Sequence, residues 1–229
     1  AIKKYNCKKA LIPFYECSTV REFLARKGVE ISYYHIDKYF SPIIDKSISS
    51  DTALVIVNYF GLIPNDRIES FKSFSPNLVV DNTQAFFSLP IEDAYSVYSP
   101  RKFFGVPDGA YVIGNDASMG AEEYLEDISS STSTFLLRRI ETGANNNYQY
   151  YLENERRIDQ SDIKRMSKLT RALLDSIDYE GHLVKRRENF KMAKIVFSSL
   201  NEMESPLIEN SGDNDAPIAY PLVIENDKV

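Results

Sequence analysis

Two side chains in this sequence have the type and placement for chemistry on a carbonyl compound: Lys102 and Asp81. Lys102 stands in YSVYSPRKFFGVPDGAYVI, residues 95–113, after the turn Ser99-Pro100-Arg101 and before two phenylalanines and a Gly/Pro-rich stretch. An amine in an apolar, partly desolvated site holds its proton less tightly and becomes a nucleophile. It can then form an imine with an aldehyde. Ser99, three residues earlier, is placed to bind a phosphate oxygen. The plainer alternative is a solvated surface lysine. Asp81 stands in VVDNTQAFFS, residues 79–88, directly after an apolar run. A carboxylate there is costly unless its charge finds a partner, and a cationic ring nitrogen is one such partner. The alternative is a turn or helix cap.

The elements that must position these residues alternate in the first half. Lys9 to Pro13, Val29 to Ile36, Ala53 to Val57, Leu78 to Val80, Ala94 to Tyr98 and Ala110 to Ile113 read as strands. ALVIV at 53–57 is continuously apolar, as in a strand buried on both faces. Helices are expected from Ser18 to about Arg26, closed by Gly28, and from Asp66 to Phe74. This alternation predicts an α/β fold with a mixed, mostly parallel sheet and helices on both faces. Ligands of such sheets bind beyond the carboxyl ends of the strands. That rule singles out Phe14-Tyr15, Asn58-Tyr59, Asp81 to Gln84 and Ser99 to Lys102. The second half, from about Ala121 to Leu200, carries helical spacing, clearest over Glu153–Arg157, Ile163–Ile177 and Tyr179–Leu200.

Asn210 to Asp215 reads as a hinge, and Ala216 to Ile224 as the first strand of a small α+β domain. The expected division is a large domain over residues 1–205 and the start of a small one over 206–229. Both chain ends read as interrupted structure, so a longer protein is expected, with part of the large domain preceding residue 1.

Composition narrows the classes. The 229 residues are 43% hydrophobic and 26% charged, which suits a folded globular chain. A net charge of -6 argues against a nucleic-acid surface. Cys7, Cys17, His35 and His182 show no metal-ligand spacing, and the two cysteines are read as reduced, partly buried thiols. No apolar run reaches the roughly 18 residues of a membrane helix. No signal-peptide pattern opens the chain, so a cytoplasmic protein is the default expectation.

Taken together, the segments resemble pyridoxal-phosphate enzymes of the aspartate-aminotransferase fold, and within them the DegT-type sugar aminotransferases. That family shows D-A-A-Q-A after one strand, then a Ser-containing strand, a lysine, and a short G-E-G-G-like stretch. The counterparts here are Asp81-Asn82-Thr83-Gln84-Ala85, Lys102, and Asp108-Gly109-Ala110. Ile12 to Cys17 and Val57 to Gly61 resemble the family's earlier strand ends. The likeness covers roughly residues 9–115 well and the remainder more loosely. The family's phosphate-binding serine falls at Val97 here, with Ser96 and Ser99 nearby.

The resemblance implies pyridoxal 5'-phosphate as cofactor. Lys102 would hold it and shuttle a proton, and Asp81 would pair with the pyridine nitrogen. Thr83 would lie against one ring face, Tyr15 against the other, and Gln84 would reach the phenolic oxygen or the substrate. Ser99 would serve the phosphate. Asn58 would bond the phenolic oxygen or, equally, stabilise its own turn. The implied reaction transfers an amino group from glutamate to a nucleotide-linked keto sugar in polysaccharide biosynthesis, in a homodimer. Alternatives are a non-catalytic relative serving binding or assembly, and a lyase or dehydratase on the same fold.

Overall fold

The computed structural model describes residues 1–203 and 216–224. Seven strands form one sheet: β1 (Lys9–Pro13), β2 (Glu30–Ile36), β3 (Pro42–Ile43), β4 (Thr52–Val57), β5 (Leu78–Asp81), β6 (Tyr95–Tyr98) and β7 (Tyr111–Ile113). Their order is β3-β2-β1-β4-β5-β6-β7. The pairs β1–β2, β1–β4, β4–β5 and β5–β6 are parallel, and β3 runs antiparallel to β2. The architecture is therefore the expected α/β class with a mixed, mostly parallel sheet. Strand order reverses between β1 and β4, which makes the carboxyl ends of those two strands the switch point where a crevice opens.

The chain divides into two compact units. The first comprises residues 1–98, 112–115 and 178–229, and the second comprises residues 99–111 and 116–177. In the first unit every residue of β4 is buried. Side chains alternate across the strands. Ala10, Ile12, Ala53, Val55 and Val79 meet Leu24 of helix α1 (Ser18–Arg26) on one face. Leu54, Ile56, Leu78 and Val80 meet Ile68 of α2 (Asn65–Ser70) and Phe71, which opens a 3-10 turn, on the other. Each fully buried aliphatic side chain contributes about 1.5–3 kcal/mol. A helix thus covers each face, because each face alone is an unbroken apolar surface. Gly28, at φ +74 with open space around it, closes α1. Cys17 precedes α1 and is exposed, whereas Cys7 is buried.

The first unit also contains a long helix, which is numbered α6 after three helices in the second. In the second unit α3 (Thr134–Thr142), α4 (Tyr148–Gln160) and α5 (Lys168–Asp175) follow one another. The helix expected from Ile163 begins only at Lys168. Arg165 bridges instead to Glu126, and Ser167 caps α5 by accepting the Thr170 N–H at 3.1 Å. Buried Asp108 holds that cap: it accepts from Ser167 N–H at 2.9 Å, Ser167 Oγ at 2.7 Å and Thr170 Oγ1 at 2.8 Å. An anion at a helix N-terminus is favoured by the orphan N–H groups and the helix dipole. Gly109 sits beside it at φ +101, where a Cβ would lie 2.7 Å from Met166 Cε. The Asp108-Gly109 pair is thereby a structural joint of this unit. Asn154 of α4, also buried, donates to the Pro107 carbonyl at 2.9 Å. Asp127 binds Arg157 at 2.8 Å and Lys164 at 2.9 Å.

Helix α6 (Tyr179–Phe197) belongs to the first unit. Its Phe190 packs on Leu62, with Tyr39, Phe60 and Tyr220 around them. The expected strand at Ala216–Ile224 is not formed; those residues run without regular structure. Pro217 and Pro221 each remove a ladder donor, and single bonds take over, such as Ile218 N–H to Phe60 O at 2.9 Å. The expected hinge at 210–215 and the boundary at 205–206 lie outside the described residues.

Candidate active site

At the switch point in the first unit, the residues after β1 and β4 meet. Tyr59 donates its hydroxyl to the Tyr15 carbonyl at 2.6 Å, and the two rings lie 5.7 Å apart. Burial raises the Tyr59 phenol well above its ordinary value, and the carboxylates of Glu16 and Asp81 and then Tyr15 add to the rise. Tyr59 therefore stays a proton donor across the physiological range. Tyr34 is raised in the same way, by burial first, and donates to the Val55 carbonyl at 2.8 Å. The Tyr15 ring is 63% exposed and so is available to a ligand at this end of the sheet.

One strand further, Asp81 is the last residue of β5 and is half-buried. Its Oδ1 accepts the Thr83 N–H at 2.8 Å, which closes an Asx turn. Oδ2 has no hydrogen-bond partner among the described residues. The turn-cap reading of Asp81 is therefore present, and it occupies one carboxylate oxygen of two. Strand alternation places Asp81 on the face shared by Val79 and Val55.

Gln84 and Asn58 do local work. Gln84 Oε1 accepts the Phe60 N–H at 3.1 Å. Phe60 has φ 58, an uncommon value for a bulky residue, and Gln84 helps to hold it there. Asn58 is fully buried. Its Oδ1 accepts the Ile63 N–H at 3.0 Å, and its Nδ2 reaches Asn82 Oδ1 at 3.3 Å and Ser88 Oγ at 3.4 Å. These contacts are those of a turn-stabilising asparagine. Ser96, beside the family's serine position, is fully buried and accepts the Ile91 N–H at 3.2 Å.

In the second unit, Ser99 leads into a 3-10 turn, Pro100–Lys102, and makes no capping bond with its side chain. Three residues per turn set Pro100 and Phe103 on one side. Both are buried, Phe104 is buried as well, and Lys102 is exposed. Sequence reasoning expected the neighbouring aromatics to desolvate this amine; they are buried while the lysine is exposed. Arg101 pairs with Glu155 of α4, and burial lowers its guanidinium from its usual value. A cavity of about 270 Å³ lies between the start of α3 and α4, lined in part by Thr134, Phe135, Tyr150 and Glu153. Arg138 stacks 4.5 Å from the Tyr150 ring centre and donates to its hydroxyl at 3.0 Å.

The structure thus brings Asp81, Thr83, Gln84, Asn58 and Tyr15 to the carboxyl ends of β1, β4 and β5 in one unit, and places Ser99 and Lys102 in the other. Sequence reasoning missed Asn82 and Tyr34. The signal for Asn82 was a second polar residue beside Asp81 at a strand end. Tyr34 gave none, because a tyrosine within a strand reads as packing. Among the described residues no group of three or more His, Cys, Asp or Glu side chains could hold a metal ion. No helix among them is long and apolar enough to cross a membrane.

No family model and no curated protein matches the chain. Several solved structures do. Histidinol-phosphate aminotransferase from Clostridium acetobutylicum is 16% identical at a TM-score of 0.40, over 67% of this chain and 53% of that one. Bna3p of Saccharomyces cerevisiae, a candidate kynurenine aminotransferase, is 11% identical at 0.46, over 86% and 51%. A PLP-bound candidate aminotransferase from Clostridium difficile 630 is 12% identical at 0.45, over 88% and 55%. The chain spans about half the length of these structures. Likenesses of this size assign neither activity nor ligand to it.

Proposed function

We propose that this chain is part of a pyridoxal-phosphate-dependent aminotransferase of the DegT type. The observation that carries the reading is Asp81. It ends a buried parallel strand beside the switch point, with one carboxylate oxygen fixed by Thr83 and the other unbonded among the described residues. A half-buried carboxylate so arranged suits a protonated ring nitrogen. Chain reach is compatible with Lys102 as its counterpart: three residues lie between it and Tyr98 at the end of β6, which limits the Tyr98–Lys102 Cα separation to about 14 Å.

The cofactor, when bound, supplies an electron sink for the substrate's α-carbon electrons. Asp81 keeps the ring nitrogen protonated. Lys102 would be the residue that holds the cofactor and moves a proton at the substrate carbon. Thr83 and Tyr15 would lie against the ring, and Ser99 would serve the phosphate. Gln84 keeps its Nε2 for the phenolic oxygen or the substrate. Asn58, with its oxygen on Ile63, takes no direct part. Glutamate as donor, a nucleotide-linked keto sugar as acceptor, a role in polysaccharide biosynthesis, a homodimer and a cytoplasmic location complete the reading. They rest on the sequence resemblance alone.

The exposure of Lys102 favours a second reading, a non-catalytic relative that serves as a binding module. One experiment separates the two. Pyridoxal phosphate added to the protein should give a visible absorbance band, and borohydride should fix the label on Lys102 as read by peptide mass spectrometry. Absence of a band beyond that of the free aldehyde sinks the enzyme reading, and its persistence in Lys102→Ala sinks the assignment of Lys102. Product analysis with glutamate separates aminotransfer from lyase or dehydratase chemistry.

A further inference from the structure

The geometry points to Asn82 as a positioning residue for Asp81. Strand alternation puts the two on opposite faces of the sheet. Behind Asp81, the ends of β4, β5 and β6 carry a row of buried polar side chains: Asn58, Asn82 and Tyr98. Asn82 Oδ1 accepts from Asn58 Nδ2 at 3.3 Å, and Asn58 is itself locked by the Ile63 N–H. Tyr98 donates to the Ser88 carbonyl at 3.1 Å. The main chain is clamped at the same place. Asn58 N–H donates to Asp81 O at 3.0 Å, Asn82 N–H to Val97 O at 2.8 Å, and Ala85 N–H to Asn82 O at 2.9 Å.

Stability alone does not account for an asparagine here. Its side chain is only 1% exposed, and Nδ2, which makes no hydrogen bond of good geometry among the described residues, lies near the Tyr98 hydroxyl, where the contact partly offsets the rise that burial gives this phenol. A long 3.3 Å bond to Asn58 and a loose contact with Tyr98 return little against the cost of burying an amide. A residue that breaks a local packing rule marks a place where something other than stability is served. What the Asn82 side chain does is tie the end of β5 to the turn after β4. Main-chain bonds already hold both ends of the peptide joining residues 81 and 82, and the side-chain tie braces the Asn82 end, where the chain turns toward Thr83 and its hold on Asp81 Oδ1.

The inference rests on the reading of Asp81 as the cofactor's partner for its consequence, but it can be read without cofactor. The test is amide hydrogen exchange by NMR on the protein and on Asn82→Ala and Asn82→Ser, with thermal unfolding alongside. In Asn82→Ala the Thr83 amide should exchange about tenfold faster. The Val80 and Ile56 amides and the melting temperature should hold. Asn82→Ser, which keeps a small polar group, should fall between. Binding of pyridoxal phosphate should weaken by a similar factor. Unchanged Thr83 exchange overturns the proposal, and so does a rise shared equally by Val80 and Ile56, which is general loosening. A selective rise at Thr83 in a protein that gives no visible band with pyridoxal phosphate upholds the positioning role and removes the cofactor reading.

Discussion

The Thr83 N–H donates to Asp81 Oδ1 at 2.8 Å, so the residue after next holds one half of the carboxylate and leaves the other half unbonded among the described residues. This single bond divides the roles of the group. One oxygen shapes the turn, and the other is available for charge recognition.

Substitution should separate those two roles. Asp81→Asn keeps an acceptor for Thr83 and should leave stability within about 0.5 kcal/mol, while Asp81→Ala should cost about 1 kcal/mol. Both remove the charge, and both should slow the glutamate half-reaction by about a hundredfold or more. Urea unfolding and single-turnover absorbance read the two effects. Full rate in Asp81→Asn would remove the charge argument.

Asp108 should matter to stability and not to chemistry. Three donors converge on its buried carboxylate. Asp108→Ala removes the common acceptor of all three and should destabilise by about 3 kcal/mol, whereas Thr170→Val removes one donor and should cost about 1 kcal/mol. Chemical denaturation followed through helix content checks the ranking. Equal small losses in both would show that the carboxylate does not organise the start of α5.

Acid should weaken the second unit through Asp127. Burial alone would raise this carboxyl, but bonds from Arg157 and Lys164 outweigh burial and hold it below its usual range. The unfolded value is about 3.9. The folded state therefore keeps the charge to lower pH than the unfolded chain does. Its stabilisation is full above about pH 5 and is lost as pH falls through the folded value. Asp127→Asn should flatten this part of the stability profile below about pH 5. An unaltered acid limb in the variant would assign the effect to other carboxylates.

The α/β class and the placement of Asp81 were legible in the sequence because strands buried on both faces write themselves as short apolar runs. ALVIV and LVV could be little else between polar turns, and a carboxylate beyond one of them stands at the ligand end of the sheet. The partners of the polar groups were not legible. Gln84 looked like a ligand-facing amide and holds Phe60, 24 residues away. Asp108 looked like part of a glycine turn and caps a helix 59 residues on. Residues 216–224 had a strand's composition and no ladder to join, with prolines at two of the positions that would have donated. Periodicity is set by neighbours along the chain, which the sequence displays directly. Which buried donor meets which acceptor is settled only when distant segments close on one another, because an unpaired buried polar group costs enough to decide the pairing and local sequence does not encode its partner.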